Sequence, residues 1–152
     1  MHNLLLGSAK HVFSLWIKRG ILHLGDLQLI QERSEQLSFP NDVGRIPTKI
    51  GSGFGGFTAD QWQIWTTVIS PVVLKGILPN RHLCCWLMFV RACYLLLSRI
   101  ISRADILMAQ QYLLTFCKTF QQIYRDEACT PNVHLHMHLS ACLLAAFSIY
   151  FH

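Results

Sequence analysis

The sequence predicts an all-α fold, an irregular bundle of five or six helices with a long glycine- and proline-rich connector over residues 38–57. Three observations carry that prediction. Apolar residues recur at three- and four-residue steps along most of the chain, the period at which side chains share one face of a helix. Helix-start signatures stand at Thr58-Ala59-Asp60-Gln61 and Ser102-Arg103-Ala104-Asp105. In each, a hydroxyl and a side chain three residues on exchange hydrogen bonds with orphaned amides. No alternation of apolar and polar residues is strong enough to specify a strand.

The first helix covers residues 1–18, with Leu5, Val12, Leu15 and Trp16 as apolar positions. It stops at Lys18-Arg19-Gly20, where two cations suit the carbonyl end and glycine suits a left-handed cap. The second is expected to start at Asp26, whose carboxylate accepts first-turn amides, and to run toward Leu37. Pro40, Pro47 and five glycines then interrupt the pattern over residues 38–56, with a short extended piece near Ile46. A loop of that length inside a compact domain either serves a function or lies against a neighbour. The third helix starts at the Thr58 box, carries Trp62, Trp65 and Ile69 on one face, and is expected to kink or end at Pro71.

Pro79-Asn80 opens a sided helix. Leu83, Trp86, Val90, Cys93, Leu97 and Ile101 share one face, and Arg81, Arg91, Ser98, Arg99, Ser102 and Arg103 gather opposite. The helix after Ser102 has the core stripe Ile106, Ala109, Leu113, Phe116, Phe120 and Ile123. Thr130-Pro131 starts a last helix, with threonine as cap and proline in the first turn, where its missing donor costs nothing. The resulting organisation is a single helical domain over residues 1–144 and an apolar tail over residues 145–152.

Composition narrows the class. The 152 residues are 52% hydrophobic and 14% charged, against roughly 25% charged in ordinary globular proteins. Such an apolar surplus suits a membrane protein, an internal part of something larger, or a chain that self-associates. The segment 83–101 is long enough to span, but Arg91 sits near its centre, which costs about 2.5–3.5 kcal/mol, and its sidedness is that of a helix docked on protein. The stretch after His138 falls short of the roughly 20 residues a span needs. A membrane partner is therefore disfavoured. The net charge of +5 permits nucleic acid, although the thirteen Lys and Arg are scattered. Six cysteines without a secretory leader fit reduced thiols in a nuclear or cytoplasmic protein.

Several constellations invite chemistry. On a helix, His134, His138 and Cys142 share a face, while His136 points nearly opposite. Zinc wants four ligands and no paired Cys-x-x-Cys supplies the rest, so no metal or cofactor is expected, and one histidine pair is read as satisfying buried polar groups while the other nitrogen faces solvent. Asp60 and Asp105 lie in first turns, where the helix dipole explains them. Asp26, Glu32, Glu35, Asp42, Asp126 and Glu127 do not mark the convergence a two-metal site needs. Trp62 and Trp65 have two readings, bases stacked on an exposed ring or anchors of a core. The core reading is favoured, because stacking needs a basic groove beside the ring. Arg91, Arg99 and Arg103 are the candidate DNA contacts, against a solvated helix face as the plainer account. Gly51-Ser52-Gly53 lacks the Gly-Lys-Ser/Thr ending of a phosphate-binding loop and reads as a connector.

Three blocks resemble transposases of the CACTA (En/Spm-like) DNA transposons: Met1 to His11, Ala128 to Leu139 and, above all, Gly51-Ser52-Gly53-Phe54-Gly55-Gly56-Phe57-Thr58-Ala59-Asp60-Gln61-Trp62-Gln63-Ile64-Trp65. The resemblance extends to about Leu144. Those enzymes resemble RNase-H-like nucleases with three acidic residues on metal ions. The resemblance implies that this chain corresponds to the helical region between the second acid and the third. The first two acids would precede Met1. The third would follow the histidine block in a Phe-Glu-Arg-like motif, where this chain has Ala145-Ala146-Phe147-Ser148-Ile149-Tyr150-Phe151-His152. Asp126 and Glu127 are not at the matching place, so no catalytic residue is carried over. The implied function is a catalytically inactive transposase fragment that binds DNA ends or another transposase chain. The composition leaves a helical protein-interaction module, associating with itself or a partner through apolar surface, and a small membrane protein as alternatives.

Overall fold

The computed structural model describes residues 2–40, 47, 49–51, 54, 56–125, 128, 131, 133, 135–136, 138–139 and 145, the first four of these by backbone alone. Among the described residues the fold is all-α, with no strand. The helices are α1 (His2–Lys18), α2 (Leu24–Glu35), a continuous run of α3 (Ala59–Ile64), a π-helical turn (Trp65–Ile69) and α4 (Ser70–Val73), then α5 (Asn80–Leu96) and α6 (Arg103–Tyr124). Pro131, Val133, Leu135, His136, His138 and Leu139 also have helical backbone. The expected extended piece near Ile46, the Thr130 cap and, except for Ala145, the tail 145–152 lie outside the described residues. No helix among the described residues is long and apolar enough to cross a membrane.

By internal contacts the chain divides into two compact units, Asn3–Leu83 and Cys84–His152 with Met1–His2. In the first unit α1 ends as its sequence dictates. Gly20 takes φ +67°, the Gly20 amide donates to Ile17 O at 3.1 Å, and the Ile21 amide donates to Trp16 O at 2.8 Å. This is the paired closure of a Schellman cap. Helix α2 differs from expectation. It begins two residues before Asp26, with His23 as the capping residue, and the Asp26 carboxylate accepts the His23 amide at 2.8 Å. Asp26 therefore closes the first turn from its third position rather than starting the helix.

The Thr58 box forms as read. Gln61 N donates to Thr58 Oγ1 at 3.3 Å, and Gln61 Oε1 accepts the Thr58 amide at 2.9 Å. Thr58→Ala is expected to lower stability by about 1 kcal/mol, measured as a fall in the urea midpoint. Thr58→Ser should restore most of it, and an unchanged midpoint in Thr58→Ala would show that the cap contributes nothing.

Pro71 does not end this helix, which continues through it to Val73. The ladder widens ahead of the proline, so that the Ser70 amide donates to Trp65 O, five residues back. Proline lacks an N–H and clashes with the carbonyl four residues before it, and a π turn relieves that clash without stopping the chain. Hydroxyls fill in along the turn, Thr67 Oγ1 donating to Gln63 O at 2.8 Å and Ser70 Oγ to Thr66 O at 3.0 Å. Arg33 reaches from α2 to the end of this run. Its Nη1 donates to Val73 O at 3.0 Å and Lys75 O at 2.7 Å, satisfying carbonyls that a helix end leaves open.

In the second unit the predicted stripes point inward over most of their length, but Leu97 and Ile101 are half-buried and lie past the end of α5 at Leu96, and Ile123 is half-buried near the end of α6. Trp86, Val90 and Cys93 of α5 are buried, as are Ile106, Ala109, Leu113, Phe116 and Phe120 of α6. Cys85, Phe89, Ala92 and Leu96 are buried too, so α5 hides a broader face than its predicted stripe. A ladder of rings runs through this core: Trp86 to Phe89 at 5.3 Å, Phe89 to Phe116 at 5.0 Å, Phe116 to Phe120 at 5.4 Å and Phe120 to Tyr124 at 4.5 Å. Burial pushes the Cys85 thiol up to about 12, with Cys117 and Cys84 adding to it, and pushes Cys93 up as well. These thiols behave as small hydrophobes.

Candidate functional site

The most distinctive sequence block, residues 51–65, builds an aromatic nest in the first unit. The Thr58 cap fixes the start of α3 and so places Trp62 and, one turn on, Trp65. Phe54 enters from the glycine-rich stretch and is nearly buried. Gly56 has φ +83°, a conformation that favours glycine, between Phe54 and the cap. Phe54 lies 5.7 Å from Trp62, stacked, and 5.2 Å from Trp65. Phe13 of α1 closes the nest at 4.6 Å from Phe54 and 5.4 Å from Trp65, edge-on to the latter. Trp16 and Phe57 join at 4.7 Å from Phe13 and 5.3 Å from Trp62. Each such pair contributes about 0.5–1.5 kcal/mol beyond its buried area.

This arrangement corrects one candidate role. Trp62 is 5% exposed and Trp65 0%, so neither ring offers a face on which a base could stack. The two indoles anchor a core, as their spacing favoured. The connector is drawn onto the same unit by a residue the sequence did not single out. Gln31 Oε1 accepts the amides of Ile50 at 2.6 Å and Gly51 at 3.1 Å, while Gln31 Nε2 donates to Glu35 Oε1 at 2.6 Å. Ile50 beside it is fully buried. Where it is described, the end of the connector is thus part of the packed unit.

The basic candidates lie on the second unit. Arg91, Arg99 and Arg103 are all exposed. Arg91 is held in place, its guanidinium carbon 5.6 Å from the centre of the Tyr112 ring, so that α6 orients an α5 cation. Asp105 adds no free carboxylate there. Its Oδ2 accepts from Ser102 N at 2.8 Å and Ser102 Oγ at 2.6 Å, and these bonds hold its carboxyl below the ordinary value.

Of the metal candidates, His138 is exposed, and His134 and Cys142 lie outside the described residues. No three His, Cys, Asp or Glu side chains among the described residues gather to hold a metal ion. His136 instead points inward, 1% exposed, with its ring 5.7 Å from Phe89 and 6.5 Å from Phe116. Burial lowers its pKa to about 4, which keeps the imidazole neutral at physiological pH. The opposed directions of His136 and His138 were legible from helical spacing, but the buried partner rings were not.

Among the described residues the fold is thus all-α, with two aromatic-rich units and three exposed arginines, Arg91, Arg99 and Arg103, on the second. No protein-family model, curated protein or solved structure matches the chain.

Proposed function

We propose that this chain is a catalytically inactive segment of a CACTA-type transposase, whose remaining role is to bind transposon-end DNA or another transposase chain. The observation that carries this reading is the block 51–65, in which a glycine-rich stretch, a Thr58 capping box and the Trp62–Trp65 pair follow one another as in those transposases. Two further features support it. Asp26 and Asp105 are engaged in closing helix starts, and Glu35 accepts from Gln31. In-line phosphoryl displacement on two metals calls for carboxylates free to converge on ions. DNA contact falls to Arg91 and Arg99 rather than to the indoles, through phosphate rather than base stacking. A nuclear or cytoplasmic location fits this reading and the reduced cysteines.

The test is to incubate purified protein with transposon-end duplexes and a scrambled duplex, with Mg²⁺ or Mn²⁺. The expected result is end binding that weakens as salt rises, falls in an Arg91→Glu, Arg99→Glu variant, and produces no cleavage. Specific cleavage that disappears in an Asp126→Ala, Glu127→Ala variant would overturn the non-catalytic reading. Equal binding to the scrambled duplex would remove the DNA-end role.

A further inference from the structure

Helix α6 buries one face through Ile106, Ala109, Leu113, Phe116 and Phe120, and leaves a second apolar feature facing water. Leu107 is 46% exposed, Met108 51% and Leu114 38%. Arg103, Leu107, Gln111, Leu114 and Lys118 follow one another at three- and four-residue steps, so they form one stripe along the helix, while Met108, next in sequence to Leu107, projects from a different side. All five residues of the stripe are exposed. Cations close both ends of the stripe, about 22 Å apart at about 1.5 Å per residue. No carboxylate lies on it, since Asp105 projects from another side of the helix and is engaged by Ser102.

We infer that this stripe docks an amphipathic helix of a different protein, one whose leucine-type seam covers Leu107 and Leu114 and whose flanking carboxylates meet Arg103 and Lys118. Charge decides the occupant. A second copy of α6 is a poor fit. Antiparallel pairing that sets Leu107 against Leu114 also sets Arg103 against Lys118, and the two-fold axis repeats that repulsion. A nucleic-acid backbone would meet the two cations but leave Leu107 and Leu114 in water, since phosphate contacts bury no apolar seam. A helix with acidic flanks satisfies both the leucines and the charges, by the helix-in-groove mode of recognition. The inference does not rest on the transposase reading, because it uses only side chains of α6.

The test uses the full chain and two labelled synthetic helices. Both carry leucines to face Leu107 and Leu114. One has glutamates opposite Arg103 and Lys118, and the other has lysines there. Fluorescence anisotropy should show the glutamate peptide binding about tenfold tighter than the lysine peptide, the scale expected of two rim ion pairs exchanged for two repulsions. An Arg103→Glu, Lys118→Glu variant should reverse the preference. A Leu107→Ala, Leu114→Ala variant should weaken both peptides with unchanged circular dichroism, since exposed positions contribute little to folding. Equal affinity for the two peptides, or a preference that charge reversal leaves intact, would overturn the inference. So would sedimentation showing a dimer that Leu107→Ala, Leu114→Ala abolishes, or duplex DNA displacing the peptide in a Lys118-dependent, Leu107-independent manner.

Discussion

Replacing Trp65 with alanine is expected to destabilise the first unit by about 3–5 kcal/mol, the range for removing a large buried aromatic. That is much of the roughly 5–15 kcal/mol by which a typical domain is stable, so thermal unfolding should begin far earlier in Trp65→Ala than in wild type. The size of the effect follows from position. Trp65 is fully buried and packs on both Phe13 and Phe54, so its removal leaves a hole between α1 and the glycine-rich stretch. Neither neighbour can collapse into it easily, because α1 is fixed by its Gly20 cap and the stretch by Gln31. Trp65→Phe should be far milder. The indole Nε1 is buried with no hydrogen-bond partner among the described residues, and deleting an unsatisfied donor offsets part of the lost volume. Urea denaturation followed by circular dichroism decides the matter. If Trp65→Ala melts with wild type, or Trp65→Phe is as damaging as Trp65→Ala, the nest is not the core of this unit.

The contrast between Trp65 and its neighbours shows how far sequence carried. Helix starts at Thr58 and Ser102 and the stop at Gly20 were legible because they are local, each depending on residues within a few positions. The stripes of α5 and α6 were legible because period alone places Trp86 or Phe116 on a face. What failed to show was non-local. Nothing in the text of the chain says that Arg33 will reach carbonyls forty residues on, at Val73, or that Gln31 will hold Ile50 and Gly51. Pro71 announced a disturbance without announcing its form, since a break and a π turn answer the same missing amide. The start of α2 was misplaced for a local reason, because Asp26 suits both the capping position and the third position of a helix. The candidate site was less legible still. An indole or an arginine declares its chemistry in sequence but not its exposure, and exposure separated the buried Trp62 and Trp65 from the surface cations Arg91, Arg99 and Arg103.

Acidification should destabilise the second unit through His136. The ring is buried against Phe89 and Phe116, and burial lowers its pKa from 6.5 to about 4. Above about pH 6.5 the imidazole is neutral both folded and unfolded, and the full stability is present. Between 6.5 and 4 the unfolded chain binds a proton that the folded chain refuses, so stability falls as pH falls. The loss by pH 4.5 is about 2–3 kcal/mol at about 1.4 kcal/mol per tenfold change in proton affinity. Asp105 acts in the same direction at lower pH. Its carboxyl is held below the ordinary value, so its contribution disappears only as pH drops through that lowered value. His82, lowered by burial and by Arg81, adds a slope in the first unit. The difference between wild type and His136→Phe isolates the one group. Phenylalanine keeps an aromatic ring among Phe89 and Phe116 and cannot take up a proton, so the variant should lose less stability between pH 7.5 and 4.5 by about 2–3 kcal/mol. Chemical denaturation at a series of pH values would measure it, and parallel curves for the two proteins would mean that His136 meets solvent and titrates as an ordinary surface histidine.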